Sequence, residues 1–221
     1  MEIFKGLFEG NHVEVARGYY HVGLAYDYDG NWKKGLEYHL KSLEMRKAIY
    51  GEIHADVAAS YLKTGDAYYE QREYNKALEI YLKCAEIEKS VYGENHVDVA
   101  NSYYNVGYVY YVQEENDKAL EYLNKSLAIR KSLFGENHST VALCYNSIGL
   151  VYDNQGEHKK SLEYHMKSLH IRKLIFGENH GDVAMSYNNI GLTYDYQEEY
   201  ERGLEYHLKS LNIKRSVYGE K

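Results

Sequence analysis

The chain has no proline, two cysteines, one tryptophan and four phenylalanines in 221 residues. Without proline, no helix is stopped by a missing amide, so other residues must end the helices. Cys84 and Cys144 stand at unmatched places and make no disulfide framework, which points to a reducing, cytoplasmic setting. No apolar run approaches the roughly eighteen residues of a membrane span. The start, MEIFKGLFEG, has no basic segment leading into an apolar one, so a secretion signal is not supported either. Asn124-Lys125-Ser126 and Asn137-His138-Ser139 fit the glycosylation pattern and, lacking such a signal, are read as chance. A net charge of −7 argues against nucleic acid, which needs a strong cationic stripe. G-x-S-x-G, a phosphate-binding glycine loop and G-x-G-x-x-G are also missing, so no enzyme and no cofactor are expected.

What the chain does have is tyrosine, 27 of them, and a sentence written five times. His12, His54, His96, His138 and His180 stand 42 apart, as do Val15, Val57, Val99, Val141 and Val183. Each Val begins a Val-Ala-x-x-Tyr run that leads to Gly23, Gly65, Gly107, Gly149 or Gly191, and then to a second Tyr. A period of this length marks a stacked-repeat protein, an elongated array without a single centre.

Within the second copy, Val57, Ala58, Tyr61, Thr64, Gly65 and Tyr68 recur at helical spacing, which predicts helix A to near Glu70. After the polar break Gln71-Arg72-Glu73, helix B carries Tyr74, Ala77, Leu78, Tyr81, Ala85, Ile87 and Val91. It ends at Gly93, which is suited to a left-handed cap, as are Gly51, Gly135, Gly177 and Gly219. Glu37/Lys41, Glu79/Lys83, Glu121/Lys125, Glu163/Lys167 and Glu205/Lys209 are i,i+4 pairs for an exposed face. Mid-helix Gly23 and its equivalents cost about 1 kcal/mol each relative to Ala. The reason expected is close approach to the small residues Gly35, Ala77, Ala119, Ser161 and Gly203 of helix B.

The run Tyr-x2-(Val/Ile)-Gly-x2-Tyr followed by (Ala/Gly/Ser)-Leu resembles the tetratricopeptide repeat. The long period, the G-E-N-H connector and A-L-E-Y-x2-K-S-L-x-I-R-K resemble its kinesin-light-chain-like branch. The resemblance covers roughly Glu9 to Gly219. It implies an all-α, right-handed superhelical solenoid of antiparallel helix pairs. The tail of a preceding helix B falls at residues 1–8, and the repeats at 9–51, 52–93, 94–135, 136–177 and 178–221, as one continuous domain. Where the family has proline late in helix B, this chain has Lys47, Lys89, Lys131, Lys173 and Arg215, so helix B should run on to the glycine. The kinesin-type His-Pro-Asp connector lacks its proline here, which predicts a less rigid start to helix A.

The resemblance also implies that non-core positions of helix A line an inner surface that meets a protein or peptide partner. Carried onto this sequence, the first copy offers Arg17, Tyr20, His21, Leu24, Asp27 and Tyr28, and the second Leu62, Lys63, Asp66, Tyr69 and Glu70. Tyr104, Asn105, Tyr108 and Tyr111 follow in the third, Asn146, Leu150 and Asp153 in the fourth, and Asn188, Asn189, Leu192, Asp195 and Tyr196 in the fifth. Asn both donates to and accepts from a peptide backbone, and Tyr gives contact area at low entropic cost. The kinesin light chain is associated with a basic groove for acidic peptides. Here Asp27, Asp66, Glu70, Asp153 and Asp195 outnumber Arg17 and Lys63, which predicts a basic or neutral peptide with an aromatic or aliphatic anchor.

No metal is expected. The connector histidines sit one per repeat, and helices ~8–10 Å apart cannot bring them together around one ion. They are read as helix-start or connector packing, His39, His165 and His207 as packing residues, and the cysteines as small-residue substitutions. Arg130-Lys131 and Arg172-Lys173 favour the negative end of helix B and need no ligand.

The function expected is a non-catalytic protein-interaction scaffold. The alternative is a regulatory arm of a larger signalling ATPase or other multidomain enzyme. Ile3, Leu7 and Phe8 align with Met45, Ile49 and Tyr50, and the last copy stops at its own Gly219. Both ends therefore read as cut, and the expectation is an excerpt of a longer protein or one that pairs end to end.

Overall fold

The computed structural model describes residues 9–219, and the helix tail expected over residues 1–8 lies outside the described residues. A-type helices α1 (Glu9–Tyr28), α3 (Ala55–Glu70), α5 (Val97–Val112), α7 (Ser139–Asn154) and α9 (Gly181–Tyr196) alternate with B-type helices. The latter are α2 (Trp32–Tyr50), α4 (Tyr74–Tyr92), α6 (Asn116–Phe134), α8 (His158–Phe176) and α10 (Tyr200–Tyr218). Among the described residues every regular element is helical, the class that the periodicity predicts.

The chain falls into two compact units that divide within α5, one up to Val109 and one from Tyr110. In the first, α1 packs on α2, α2 on α3 and α3 on α4. Its core gathers Leu43, Val57, Ala58, Tyr61 and Cys84, with Leu62, Ile80 and Ile87 against them. In the second, α6 packs on α7, α7 on α8, α8 on α9 and α9 on α10. There Leu169, Val183, Ala184, Tyr187, Ile190 and Ile213 form the core, flanked by Leu162, Tyr194 and Tyr206. From the second copy onward the Val-Ala-x-x-Tyr run supplies the buried face of helix A, while in α1 Ala16 is buried and Val15 is exposed.

Helix B runs through the family's proline position to the glycine, as the missing proline predicts. The N–H of Gly51, Gly93, Gly135, Gly177 and Gly219 donates to the carbonyl of the residue standing where proline would be, at 2.9–3.0 Å. These glycines have φ of 77–85°, as expected, but ψ of 161–179°, not the helical value of a left-handed cap. That region is open essentially to glycine alone.

The start of helix A is held without proline. His54, His138 and His180 accept the backbone N–H two residues on through Nδ1, at 3.1–3.3 Å. The connector rings also stack on the last aromatic of the preceding helix B, Tyr50 on His54 and Tyr92 on His96, with centroids 4.1 and 4.2 Å apart. Phe134 on His138 and Phe176 on His180 do the same at 4.4 and 4.3 Å. In place of the proline, a histidine cap and a stacked ring meet the start of helix A.

The arginines near the end of helix B are more than dipole partners. Arg46, Arg130 and Arg172 are buried. Their Nη1 donates to the carbonyls of Asp56, Thr140 and Asp182 on the next helix A, at 2.8, 3.0 and 3.1 Å. It also reaches Ser60 Oγ, Cys144 Sγ and Ser186 Oγ at 3.0, 3.5 and 2.8 Å. Each guanidinium thus ties one helix pair to the next, where hydrogen bonds from a charged donor are worth about 1.5–3 kcal/mol each. The adjacent lysines do stay at the surface, Lys47, Lys131 and Lys173 pairing with Glu52, Glu136 and Glu178. Four of the expected i,i+4 pairs form on helix B at 2.5–2.7 Å. At the other position Lys167 lies over the Tyr164 ring, 4.8 Å from its centroid.

The second copy breaks the arginine pattern. Glu88 occupies the equivalent place, 4% exposed, accepting from Ser102 Oγ at 2.6 Å and Cys84 Sγ at 3.4 Å. Burial pushes its carboxyl above the usual range, against the opposing effect of those two hydrogen bonds. A raised folded-state pKa means that Glu88 costs stability once pH rises past the ordinary carboxylate range, and costs nothing below it. Glu88→Gln should therefore be more stable than the parent at neutral pH, with the gap closing on acidification. Glu88→Arg should gain about 1–2 kcal/mol by bonding Ser102 and the Asp98 carbonyl as its counterparts do. Urea midpoints at two pH values check both, and lower midpoints for both variants at neutral pH would show that the carboxylate is the preferred group.

Candidate functional site

The contact that sets the spacing inside four of the helix pairs is a ring over a glycine. A Cβ placed on Gly23 would lie 2.5 Å from His39 Cε1, and one on Gly65 2.6 Å from Tyr81 Cε1. Gly149 and Gly191 meet His165 and His207 in the same way, at 2.6 and 2.7 Å. An aromatic ring thus covers the helix A glycine in these four pairs, and the expected small residue comes close as well: a Cβ on Gly35 would lie 3.4 Å from the Gly23 carbonyl oxygen, and one on Gly203 3.2 Å from that of Gly191. The small residue has another task. A Cβ on Gly35 would lie 2.0 Å from Asp27 Oδ1, and one on Gly203 2.0 Å from Asp195 Oδ1.

Those carboxylates receive the rings. His39 Nε2 donates to Asp27 Oδ2 at 2.7 Å, His165 Nε2 to Asp153 Oδ2 at 3.3 Å and His207 Nε2 to Asp195 Oδ2 at 3.0 Å. A carboxylate only accepts, so each ring carries its proton on Nε2. The signal for this triad was in the sequence. Asp27, Asp153 and Asp195 occur with His39, His165 and His207 and with Gly35, Ser161 and Gly203. Where the helix A residue is Tyr69 or Tyr111, helix B has Tyr81 or Leu123 and the small residue is Ala77 or Ala119. The three positions change together because the carboxylate needs the ring as a donor and, on the small residue, either the space of a missing Cβ, as at Gly35 and Gly203, or a short hydroxyl that bonds it, as at Ser161.

Three of the acidic residues assigned to a peptide groove are therefore structural partners as well. Asp153 is the clearest case, its side chain only 7% exposed. Burial would raise its pKa, but hydrogen bonds from His165, Ser161, His158 and Thr193 outweigh that and hold it below the usual range. Thr193 belongs to α9, so the carboxylate joins α7, α8 and α9.

In the first unit, nine of the residues expected to bind a partner come together. Leu24, Asp27, Tyr28, Lys63, Asp66, Tyr69, Glu70, Asn105 and Tyr108 line one open cavity of about 350 Å³. Trp32 and Tyr81 complete the lining. Sequence reasoning missed these two because it kept to helix A, and both come from helix B. The signal for Trp32 was its uniqueness, standing where the other copies have Tyr74, Asn116, His158 and Tyr200. Asp66 accepts from Tyr81 Oη at 2.8 Å through Oδ1 and from Lys63 Nζ at 2.7 Å through Oδ2. Burial, then the neighbouring Tyr108, Tyr74 and Glu70, push the Tyr69 phenol well up, so it stays a neutral hydrogen-bonding group. Its ring centroid lies 5.6 Å from Tyr74 and 6.0 Å from Tyr108, and Tyr108 in turn stacks on Tyr104 at 6.1 Å.

The other assigned residues of this unit lie apart from the cavity. Arg17, Tyr20 and His21 border a second recess with Arg46 and Asp56, and the Arg46 guanidinium sits 4.5 Å over the Tyr20 ring. Leu62 packs against the core.

In the second unit the assigned residues serve mainly as links. Asn146 is 7% exposed and accepts from Asn189 Nδ2 at 2.8 Å, so its amide is spent between helices and not open to a peptide. Tyr111, Leu150 and Asn188 are half-buried, Leu192 is exposed, and Tyr196, also exposed, stacks on His158 at 5.7 Å. Cys84 and Cys144 are buried, and burial raises both thiols, so neither is a ready nucleophile.

The tetratricopeptide repeat profile matches residues 14–90, 56–132, 98–173 and 145–216. The chain belongs to the tetratricopeptide repeat family. No curated protein matches the sequence. Among solved structures, a Podosopora anserina protein of nearly identical TPR-like repeats, named for the kinesin light chain, is 15% identical. The alignment covers 95% of this chain and 99% of that one, with a TM-score of 0.81. BtubC (BKLC) from P. vanneervenii is 18% identical over 96% of this chain and 91% of its own, also at 0.81. MamA from Desulfovibrio magneticus is 17% identical, covering 91% and 96%, at 0.67. At these identities the likeness is one of fold, the kinesin-light-chain-like tetratricopeptide solenoid. Tetratricopeptide repeats are generally non-catalytic scaffolds that bind proteins, and that coarse role comes with membership. Among the described residues no helix is long and apolar enough to cross a membrane.

Asp153→Asn should cost about 2–3 kcal/mol at neutral pH, since it removes the charge that several donors share. A depressed folded-state pKa gives stability that is present above the ordinary carboxylate range and lost as pH falls through the folded value. The gap between variant and parent should therefore shrink on acidification, and a gap unchanged across pH in thermal melts would show that the charge is not what matters.

Proposed function

We propose that the chain holds an extended peptide segment of a protein partner on its helix A residues, with the cavity of the first unit as the principal seat. The observation that carries this is convergence. Nine residues chosen as non-core positions of helix A line that one cavity, although the core periodicity asks for none of them there. A volume of about 350 Å³ is at the lower end for ligand pockets, suited to a side chain and its neighbours and too small for a domain surface. Asn105 on the wall offers both a donor and an acceptor to a peptide backbone.

The lining favours a basic or neutral peptide with an aromatic or aliphatic anchor, because Asp27, Asp66 and Glu70 face a single cation, Lys63. An acidic segment would meet repulsion and would leave these carboxylates desolvated without a partner. End-to-end pairing of chains is a separate proposal, to be checked by sedimentation across a concentration series.

Selection of random displayed peptides on the immobilised chain, repeated with Tyr69 and Tyr108 both changed to Ala, tests the seat. Basic or neutral sequences should be enriched on the parent and fall by at least about tenfold in affinity on the variant, a loss of roughly 1.4 kcal/mol. Enrichment of acidic peptides, or of peptides indifferent to the double substitution, would sink this assignment.

A further inference from the structure

The cavity of the first unit has a composition that a general peptide groove does not require. Five aromatic rings line it, those of Tyr28, Trp32, Tyr69, Tyr81 and Tyr108. Ring faces carry negative potential and attract cations, more strongly when water is partly excluded. Three carboxylates share the same wall, and their oxygens are not equally committed. Asp66 has both oxygens engaged, by Tyr81 and by Lys63. Asp27 gives Oδ2 to His39, while its buried Oδ1 has no hydrogen-bond partner on a side chain that is 10% exposed. Glu70 stands exposed at the rim and enters no ion pair among the described residues.

A cation is already held there. Lys63 Nζ sits 2.7 Å from Asp66 Oδ2 with both side chains about 30% exposed. Burial alone would lower the Lys63 pKa, yet Asp66, Tyr20 and Asp27 outweigh it and the net direction is upward. The site therefore stabilises positive charge in spite of desolvation, and one resident ammonium leaves it net acidic.

We propose that this cavity is an arginine pocket, taking the guanidinium of one arginine of the bound peptide, stacked on the rings and paired with the open carboxylate of Glu70. The pocket deepens the peptide-scaffold role and rests on it. The chemistry selects arginine over the other anchors. A planar guanidinium stacks on aromatic faces and offers a carboxylate two parallel N–H donors, whereas the lysine ammonium is compact and strongly hydrated. An aromatic anchor would fill the space but leave the carboxylates without a counter-charge in a less polar setting.

Trp32 is the only tryptophan of the chain and lines the pocket, so its fluorescence reports occupancy. The probes are acetylated, amidated Gly-Ser host peptides carrying one arginine, lysine, phenylalanine or citrulline, the last being the neutral isostere of arginine. The arginine peptide should shift Trp32 emission saturably, bind about tenfold more tightly than the citrulline peptide, and weaken with added salt. Glu70→Gln, an exposed change, should bring the arginine peptide down several-fold with an unchanged melting temperature and leave the citrulline peptide as it was. Lys63→Met should tighten the arginine peptide, because it frees Asp66 Oδ2 and removes a competing cation; a purely structural role for Lys63 predicts no gain.

Phenylalanine binding as tightly as arginine, or citrulline equal to arginine, would overturn the arginine pocket. So would displayed peptides whose capture depends on Tyr69 and Tyr108 but not on a basic residue, and in that case the peptide seat itself would survive. Failure of every host peptide together with an empty selection would remove both.

Discussion

Four of the helix pairs rest on an imidazole or phenol ring packed against a glycine of the facing helix. The Gly23–His39 and Gly65–Tyr81 contacts leave no space for a methyl group. Bringing two helices this close is what lets the Val-Ala-x-x-Tyr face and the B-helix leucines meet as a dense core, where dispersion and burial provide most of the stabilisation. A mid-helix glycine is unfavourable in isolation. Here it is kept because any side chain would push the ring, and with it helix B, away from the core.

Polar groups then govern how one pair meets the next. A guanidinium from the end of helix B bonds the carbonyl at the start of the following helix A, and a histidine ring caps that helix while stacking on the aromatic behind it. Buried polar groups of this kind are strongly directional, since each lost partner leaves a desolvated atom. Hydrophobic contact between helices tolerates sliding; a bond from Arg46 to Ser60 and Asp56 does not. Glu88 is the one place where this chain replaces such a guanidinium with a carboxyl, and Ser102 compensates by turning its hydroxyl toward it.

Function follows from what the frame leaves over. Helix A spends one face on the core and its glycine on the ring, so its remaining positions and the first residue of helix B are open to variation. In the first unit these are tyrosine, tryptophan and acidic residues, and they enclose a cavity. In the second unit two residues equivalent to cavity positions bond a neighbouring helix instead, Asn189 with Asn146 and Asp153 with Thr193. The same repeat grammar therefore yields an open cavity in one unit and internal links in the other, a difference made by a few side chains.

The period, the helix type, the ends of helix B at glycine and the buried face of helix A were all readable from residue order, because they depend on contacts three or four residues apart or on one residue's own backbone preference. The expectation that helix A supplies the binding residues came from resemblance to a known repeat. What only the tertiary structure decided was which of those residues stay free. Asp27 and Asp153 look like groove charges in a list, yet each is held by a histidine from the facing helix, twelve residues on in the chain. Trp32 looks like the start of a helix and is part of a cavity wall. Residue order fixes neighbours along one helix, whereas the partner of a buried charge is set by the packing of two.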